Sequence, residues 1–174
     1  MIIIDFEASS LRKKSHPIEV AWGDGPETIK SFLLNPDYLP GWTDWSPKSY
    51  EFHGITRAEL RQSGVDPRRV AKQMVKELGN QTVYSDEPQY DNWWKHRLLA
   101  DSGYDPSVIQ IRDLTLYLKH RIQTVPHCKT FNDLLCSFEC VEPPQHRAAS
   151  DVLWLFRLVE YVEQNSRSQS GGDS

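Results

Sequence analysis

The sequence predicts an α/β fold in which one mixed five-stranded sheet is flanked by helices. Three observations predict it. Three β-like runs, at residues 2–6, 18–22 and 28–34, precede the first helical signal. Two shorter β-like runs, at 82–84 and 108–111, then alternate with stretches of helical spacing, and helical patterns fill the rest of the chain. Strands that come first and then alternate with helices pack as layers, a sheet covered by helices.

The elements follow in order. The apolar runs 2–6 and 18–22 are joined by the polar stretch 9–17, which reads as a hairpin. Residues 28–34 continue it as a third strand between Gly25-Pro26 and Asn35-Pro36, where proline blocks further ladder donation. Residues 35–53, crowded with proline, glycine and aromatic residues, are expected to form a long irregular connection of the kind kept for function. Thr56-Arg57-Ala58-Glu59 is a capping box, and Asp66-Pro67 starts a helix that Gly79 ends. Its apolar positions Val70, Met74, Val75 and Leu78 share one face. A helix over 91–100 stops near Gly103, and helices over 113–123, 131–139 and 146–163 finish the body. Residues 1–163 therefore read as a single domain, and the serine-, glycine- and glutamine-rich stretch 164–174 as a disordered tail.

A chain of 174 residues buries one core without staples, and 39% hydrophobic with 25% charged residues is the composition of a soluble globular protein. The opening residues have no signal-peptide pattern and no apolar run approaches membrane-spanning length, so a cytoplasmic location and no membrane partner are expected. Cys128, Cys136 and Cys140 are then reduced thiols; with His127 they match no zinc-ligand spacing. A net charge of -4 excludes a protein that coats long nucleic acid by phosphate neutralisation alone. It is compatible with an enzyme that grips one strand end, since carboxylates awaiting cations themselves make the charge negative.

The chemistry concentrates in three places. Asp5 and Glu7 end the first strand two residues apart, so both carboxylates project from one face. Such a pair suits hard, oxygen-preferring cations, although it would also sit unassisted at a solvated strand end. Asp151 falls in the first turns of the last helix with His146 five residues before it, where an imidazole can take a proton from an attacking water. Between these lies Ser85-Asp86-Glu87-Pro88-Gln89-Tyr90-Asp91, from which Asp86 or Asp91 could reach the same place. Asp91 is preferred because it follows an aromatic residue and precedes the Trp93-Trp94 pair that would anchor the helix.

In their order, Asp-x-Glu on the first strand, aromatic-Asp ahead of a helix and His-x-Ala-x-x-Asp at a late helix resemble the DEDDh 3′-5′ exonucleases. Ile18-Glu19-Val20-Ala21 is similar to that family's second strand, His53-Gly54-Ile55-Thr56 to its turn into the first helix, and Asp113-Leu114 to the residues after its fifth strand. The resemblance implies a ribonuclease H-like fold, with Asp5, Glu7, Asp91 and Asp151 as ligands of two divalent ions, Mg²⁺ or Mn²⁺, and His146 as general base. It implies substrate contacts at Phe6, Ala8, Ser9 and His53 and, as partner, the 3′ end of single-stranded DNA or RNA. Phe6 itself has its side chain on the face opposite the two carboxylates, so its contact would be through the backbone.

The chain departs from the family where Ala8-Ser9-Ser10 replaces Thr-Thr-Gly and Asp86-Glu87 replaces a His-Asn pair. A catalytically silent or polymerase-associated binding module of the same fold is the alternative reading, and the number of subunits is open, a homodimer included. Of the tryptophans most are expected in the core, with Trp42 and Trp45 as exceptions because they fall in the irregular stretch. Arg12-Lys13-Lys14 is a basic turn that reads either as solvated loop or as a phosphate contact.

Overall fold

The structure is a computed structural model that describes residues 1–123, 130–139, 143 and 145–167. β1 (Ile2–Ala8) pairs antiparallel with β2 (Pro17–Gly23), and β2 antiparallel with β3 (Lys30–Leu33). On its other side β1 pairs parallel with β4 (Thr82–Ser85), and β4 parallel with β5 (Gln110–Asp113). The order β3-β2-β1-β4-β5 makes one mixed five-stranded sheet with β1 in the middle, the α/β architecture that the sequence predicts.

Helices α1 (Pro47–His53), α2 (Arg57–Ser63), α3 (Pro67–Leu78), α4 (Pro88–Asp101), α5 (Leu114–Gln123), α6 (Phe131–Glu139) and α7 (Ala148–Arg167) surround it. The alternation of a strand divides the core in two. Ile4 and Phe6 of β1 pack with Val70 and Met74 of α3 and with Leu98 and Leu99 of α4. Ile3, on the opposite face, packs with Leu118, Leu134, Val152 and Leu155 from α5, α6 and α7. Asp5 and Glu7 continue the face of Ile3, so the period of two delivers both acids to the side that α7 covers.

Several boundaries differ from the sequence reading, each for a local reason. The irregular stretch contains α1, because Ser46 caps it through the Ser49 N–H, Pro47 opens it, and Gly54 ends it in the left-handed region at φ 66°. Seven residues were too few to show an apolar period. β3 is shorter than expected because Thr28 closes a 3₁₀ turn, its hydroxyl accepting from the Asp24 and Gly25 N–H groups. α4 starts at Pro88 rather than at Asp91, so Asp91 lies inside the first turn. The last helix starts at Ala148 and runs to Arg167, four residues into the stretch expected to be disordered, with Asn165 donating to the Tyr161 carbonyl. Cys136 is exposed; His127, Cys128 and Cys140 lie outside the described residues. No described helix is long and apolar enough to cross a membrane.

α4 is held at a fixed height over the sheet by two polar ties. Lys95 is buried and donates to the carbonyls of Pro106 and Ile109 at 3.0 and 2.8 Å, and Trp94 donates through Nε1 to Ser15 at 3.0 Å. Burial would leave each group costly if unmet, so the pairs fix the helix and with it Asp91 one turn earlier.

Candidate active site

Five carboxylates converge where β1, β4, α4 and α7 meet. Asp91 is 1% exposed and accepts a hydrogen bond from the Ser85 hydroxyl, which in turn accepts the Glu87 N–H at 3.1 Å. Asp151 accepts the Gln145 N–H at 2.9 Å. Ligand oxygens of Asp5, Asp86 and Asp91 lie within 4.8 Å of one another, and so do those of Asp5, Glu7 and Asp151. Asp5 belongs to both trios. The sequence set Asp91 above Asp86 for this place; the structure brings both to Asp5, since Asp86 directly follows β4, the parallel neighbour of β1.

The electrostatics of the cluster are those of crowded acids. Burial, then repulsion from Asp91, Glu7, Asp86 and Asp151, holds the Asp5 carboxyl well above the usual range. Asp91 is likewise raised by burial, against the lowering hydrogen bond from Ser85. Burial, Asp151 and Glu19 push Glu7 up to about 8, while Arg147 opposes them. Asp86, at the exposed rim, rises to about 6, through desolvation and then repulsion from Glu87 and Asp151. Asp151 is raised chiefly by desolvation. Oδ2 of Asp5 is buried without any hydrogen-bond partner among the described residues. A buried, unmatched carboxylate oxygen among four other acids is a place for a cation.

An ion pair buried on its Glu19 side ties down the α7 terminus. Glu19 on β2 faces Glu7 on β1 and is only 3% exposed. Two like charges opposite one another across strands repel. Arg147 resolves this with a two-pronged contact to Glu19, Nε to Oε2 at 3.0 Å and Nη2 to Oε1 at 3.1 Å, and the Ala148 N–H also donates to Glu19 at 3.1 Å. Asp151 follows one turn later, its N–H bonded to the Arg147 carbonyl. Glu19→Ala would leave Arg147 and the Ala148 N–H without their acceptor. We expect a loss of about 2 kcal/mol in unfolding free energy, less than for a fully buried pair because Arg147 is half-exposed. Urea denaturation measures it, and an unchanged midpoint would show that the pair does not anchor α7.

His146 sits just before α7 with φ 54°, a left-handed backbone uncommon for a residue with a Cβ. Its ring meets Phe52 edge-on at 5.7 Å. The two rings stand in a cleft of about 410 Å³ beside the carboxylates, which Glu7, Ala8 and His53 also line. His53 is buried, accepts the Ile55 N–H on Nδ1 at 3.0 Å, and has no partner for Nε2 among the described residues. Burial lowers its pKa, so the ring is neutral with its proton on Nε2. Phe6 lies in the core, and the Ser9 hydroxyl is engaged with His16 and Asp44; neither lines the cleft. Phe52, Leu11 and Ser10 line it without having been singled out in the sequence as site residues: Phe52 lies on a seven-residue helix too short to show an apolar period, and Ser10 and Leu11 lie in the loop after β1.

No family model matches this sequence, and none of the curated proteins matches it. Solved structures do. Exonuclease I of E. coli in complex with a dA16 oligonucleotide matches with a TM-score of 0.71 at 17% identity, over 97% of this chain and 41% of that one. The fold is that of about two fifths of exonuclease I. The zinc ion bound form of the E. coli exonuclease I complex with single-stranded DNA gives a TM-score of 0.68 at 17% identity, over 94% of this chain and 40% of that one. A further structure of exonuclease I, one that suggests how processivity is achieved, gives a TM-score of 0.70 at 16% identity, over 97% of this chain and 41% of that one. This chain thus spans about two fifths of the length of exonuclease I, and at such identity the likeness is one of fold.

Proposed function

We propose that this chain is a metal-dependent 3′-5′ exonuclease that releases nucleoside 5′-monophosphates from single-stranded DNA or RNA ends. The observation that carries the reading is the pair of carboxylate trios that share Asp5, beside a cleft with a histidine at its rim. The fold shared with exonuclease I, a protein solved with dA16 and dT13 oligonucleotides, supports it.

The residues fit divalent cations: the donors are all carboxylate oxygens, one of them a buried orphan, and once they are ionised their mutual repulsion is relieved by positive charge. Asp5, Glu7 and Asp151 would hold one ion, and Asp5 with Asp91 and Asp86 a second, with Mg²⁺ or Mn²⁺ the suited types. Bound there, such ions supply a Lewis acid for the phosphodiester and a lowered pKa for water. The chain's own residues do the remainder. His146 takes the proton of the attacking water from its place on the bend before α7. Phe52 and Leu11 give the terminal base apolar contact, and the Nε2 proton of His53 donates to an oxygen of the terminal nucleotide. Arg12 and Lys48 line the same cleft and favour the phosphate. A cleft that holds a base between side chains requires that base to be unpaired.

Matched DNA and RNA oligonucleotides labelled at the 3′ end test the proposal. With Mg²⁺ or Mn²⁺ the first product is the labelled mononucleotide, and EDTA stops its release. Internal cleavage, release from the 5′ end alone, or no release with either metal would each remove the reading.

A further inference from the structure

The cleft beside the carboxylates has a neighbour on the far side of Leu11. A second, smaller cavity of about 140 Å³ adjoins it and shares Leu11, Arg12 and Trp94 as walls. Its other walls include Lys13, Tyr90 and Trp93. Trp93 is 49% exposed and Tyr90 38%, so two large aromatic side chains on α4 face solvent next to the basic turn. The tryptophans expected to be free behave otherwise: Trp42 is buried, stacks on His16 at 5.0 Å and donates to Asp101, and Trp45 is partly buried with Arg57 over its ring at 5.1 Å.

An exposed aromatic ring by itself is ordinary on a protein surface. Three features set this pair apart. Tyr90 is stacked on Trp94, with ring centroids 5.6 Å apart and planes at 24°, and Trp94 is tied down by Ser15, so the Tyr90 ring is held in place rather than free to swing. The groove adjoins the cleft, with Leu11, Arg12 and Trp94 as shared walls. Lys13 and Lys14 make no ion pair among the described residues, an unspent positive charge in a chain whose net charge is -4. Flat aromatic rings beside unpaired cations complement the bases and phosphates of a single strand.

We propose that this groove is a second nucleotide subsite, in which Tyr90 and Trp93 stack the nucleotides behind the terminal one and Lys13 meets their phosphates. The subsite rests on the reading of the neighbouring cleft as the place of the strand end. It makes affinity depend on strand length: a dinucleotide fills the cleft and reaches little further, whereas a hexanucleotide also fills the groove. Sequence tolerance follows, since every base has a stacking face.

The test is displacement of a fluorescein-labelled thymidine dodecamer by unlabelled thymidine dinucleotide or hexanucleotide, read by anisotropy with Ca²⁺ in place of Mg²⁺. Wild type is expected to bind the hexanucleotide more tightly. Trp93→Ala is expected to lose about tenfold in hexanucleotide affinity and much less for the dinucleotide, and Trp93→Phe to recover most of the loss. Lys13→Gln is expected to lower the salt slope of hexanucleotide binding by about 0.7. Equal losses for both lengths, no loss for the hexanucleotide, or a wild type without length dependence would overturn the subsite. Cleavage of the same hexanucleotide with Mn²⁺ separates the two ideas. A wild type that shows the length-dependent loss without cleaving removes the exonuclease reading and keeps the subsite. Cleavage with no effect of Trp93→Ala on affinity does the reverse.

Discussion

Asp5→Asn is expected to lower nuclease activity by at least about 10³-fold, beyond the roughly 10- to 100-fold that loss of a supporting partner costs a metal site. The reason is that Asp5 alone belongs to both carboxylate trios, so its loss weakens both cation places together. The same substitution is expected to stabilise the metal-free protein, because an amide removes one charge from a cluster in which Asp91, Glu7, Asp86 and Asp151 all repel it. The sign follows from the direction of the shifts. Each acid of the cluster has a folded-state pKa above its unfolded value, so the folded chain holds more protons through the interval between them. Stability is then full below the ordinary carboxylate range and is lost as pH rises through about 6 for Asp86 and about 8 for Glu7. Thermal melts in EDTA should therefore fall between pH 5 and 8 for wild type and fall less steeply for Asp5→Asn. With Mn²⁺ the fall should flatten or reverse, since a cation that binds only the folded, ionised cluster adds stability by mass action. Near-wild-type turnover by Asp5→Asn, or EDTA melts that do not change with pH, would sink the assignment of this cluster as a cation site.

Much of this architecture was legible because it depends on short-range rules. The apolar runs of β1 and β2, the capping box at Thr56 and the Asp66-Pro67 start each carry their own signal, and the structure has them. That Asp5 and Glu7 would point together needed only the strand period. The meeting of those two with Asp91 and Asp151 was suggested by resemblance, not by periodicity, because the contacts join elements far apart in sequence. What escaped was set by tertiary contact. Asp86 was ranked below Asp91 on its sequence neighbours, yet a parallel β4 beside β1 carries it to Asp5 as well. Glu19 looked like one acid in an apolar strand, and only the fold shows Arg147 answering it across 128 positions. Trp42 and Trp93 exchanged the roles expected of them: Trp42, in the irregular stretch, is buried against His16 and bonded to Asp101 of α4, whereas Trp93 lies on an exposed face of α4.

The role of His146 yields the second large effect, and its backbone dictates how the effect must be measured. With φ 54°, alanine at this position adds strain of its own and could shift the start of α7 together with Asp151. Asparagine visits the left-handed region readily and has no side-chain base, so His146→Asn removes the imidazole while keeping the bend. For this variant kcat is expected to fall by about 10²- to 10⁴-fold, with KM and the Mn²⁺-induced rise in melting temperature close to wild type. The competing role is visible in the structure: the ring leans edge-on against Phe52, where it could serve only to shape the wall that holds the base. That role predicts a different split, with KM rising and kcat kept, and Phe52→Leu should then reproduce it. Steady-state kinetics on one labelled single strand, run for His146→Asn and Phe52→Leu side by side, separates the two. If His146→Asn keeps the wild-type kcat while its KM rises in parallel with that of Phe52→Leu, the histidine is part of the wall and the proton goes elsewhere.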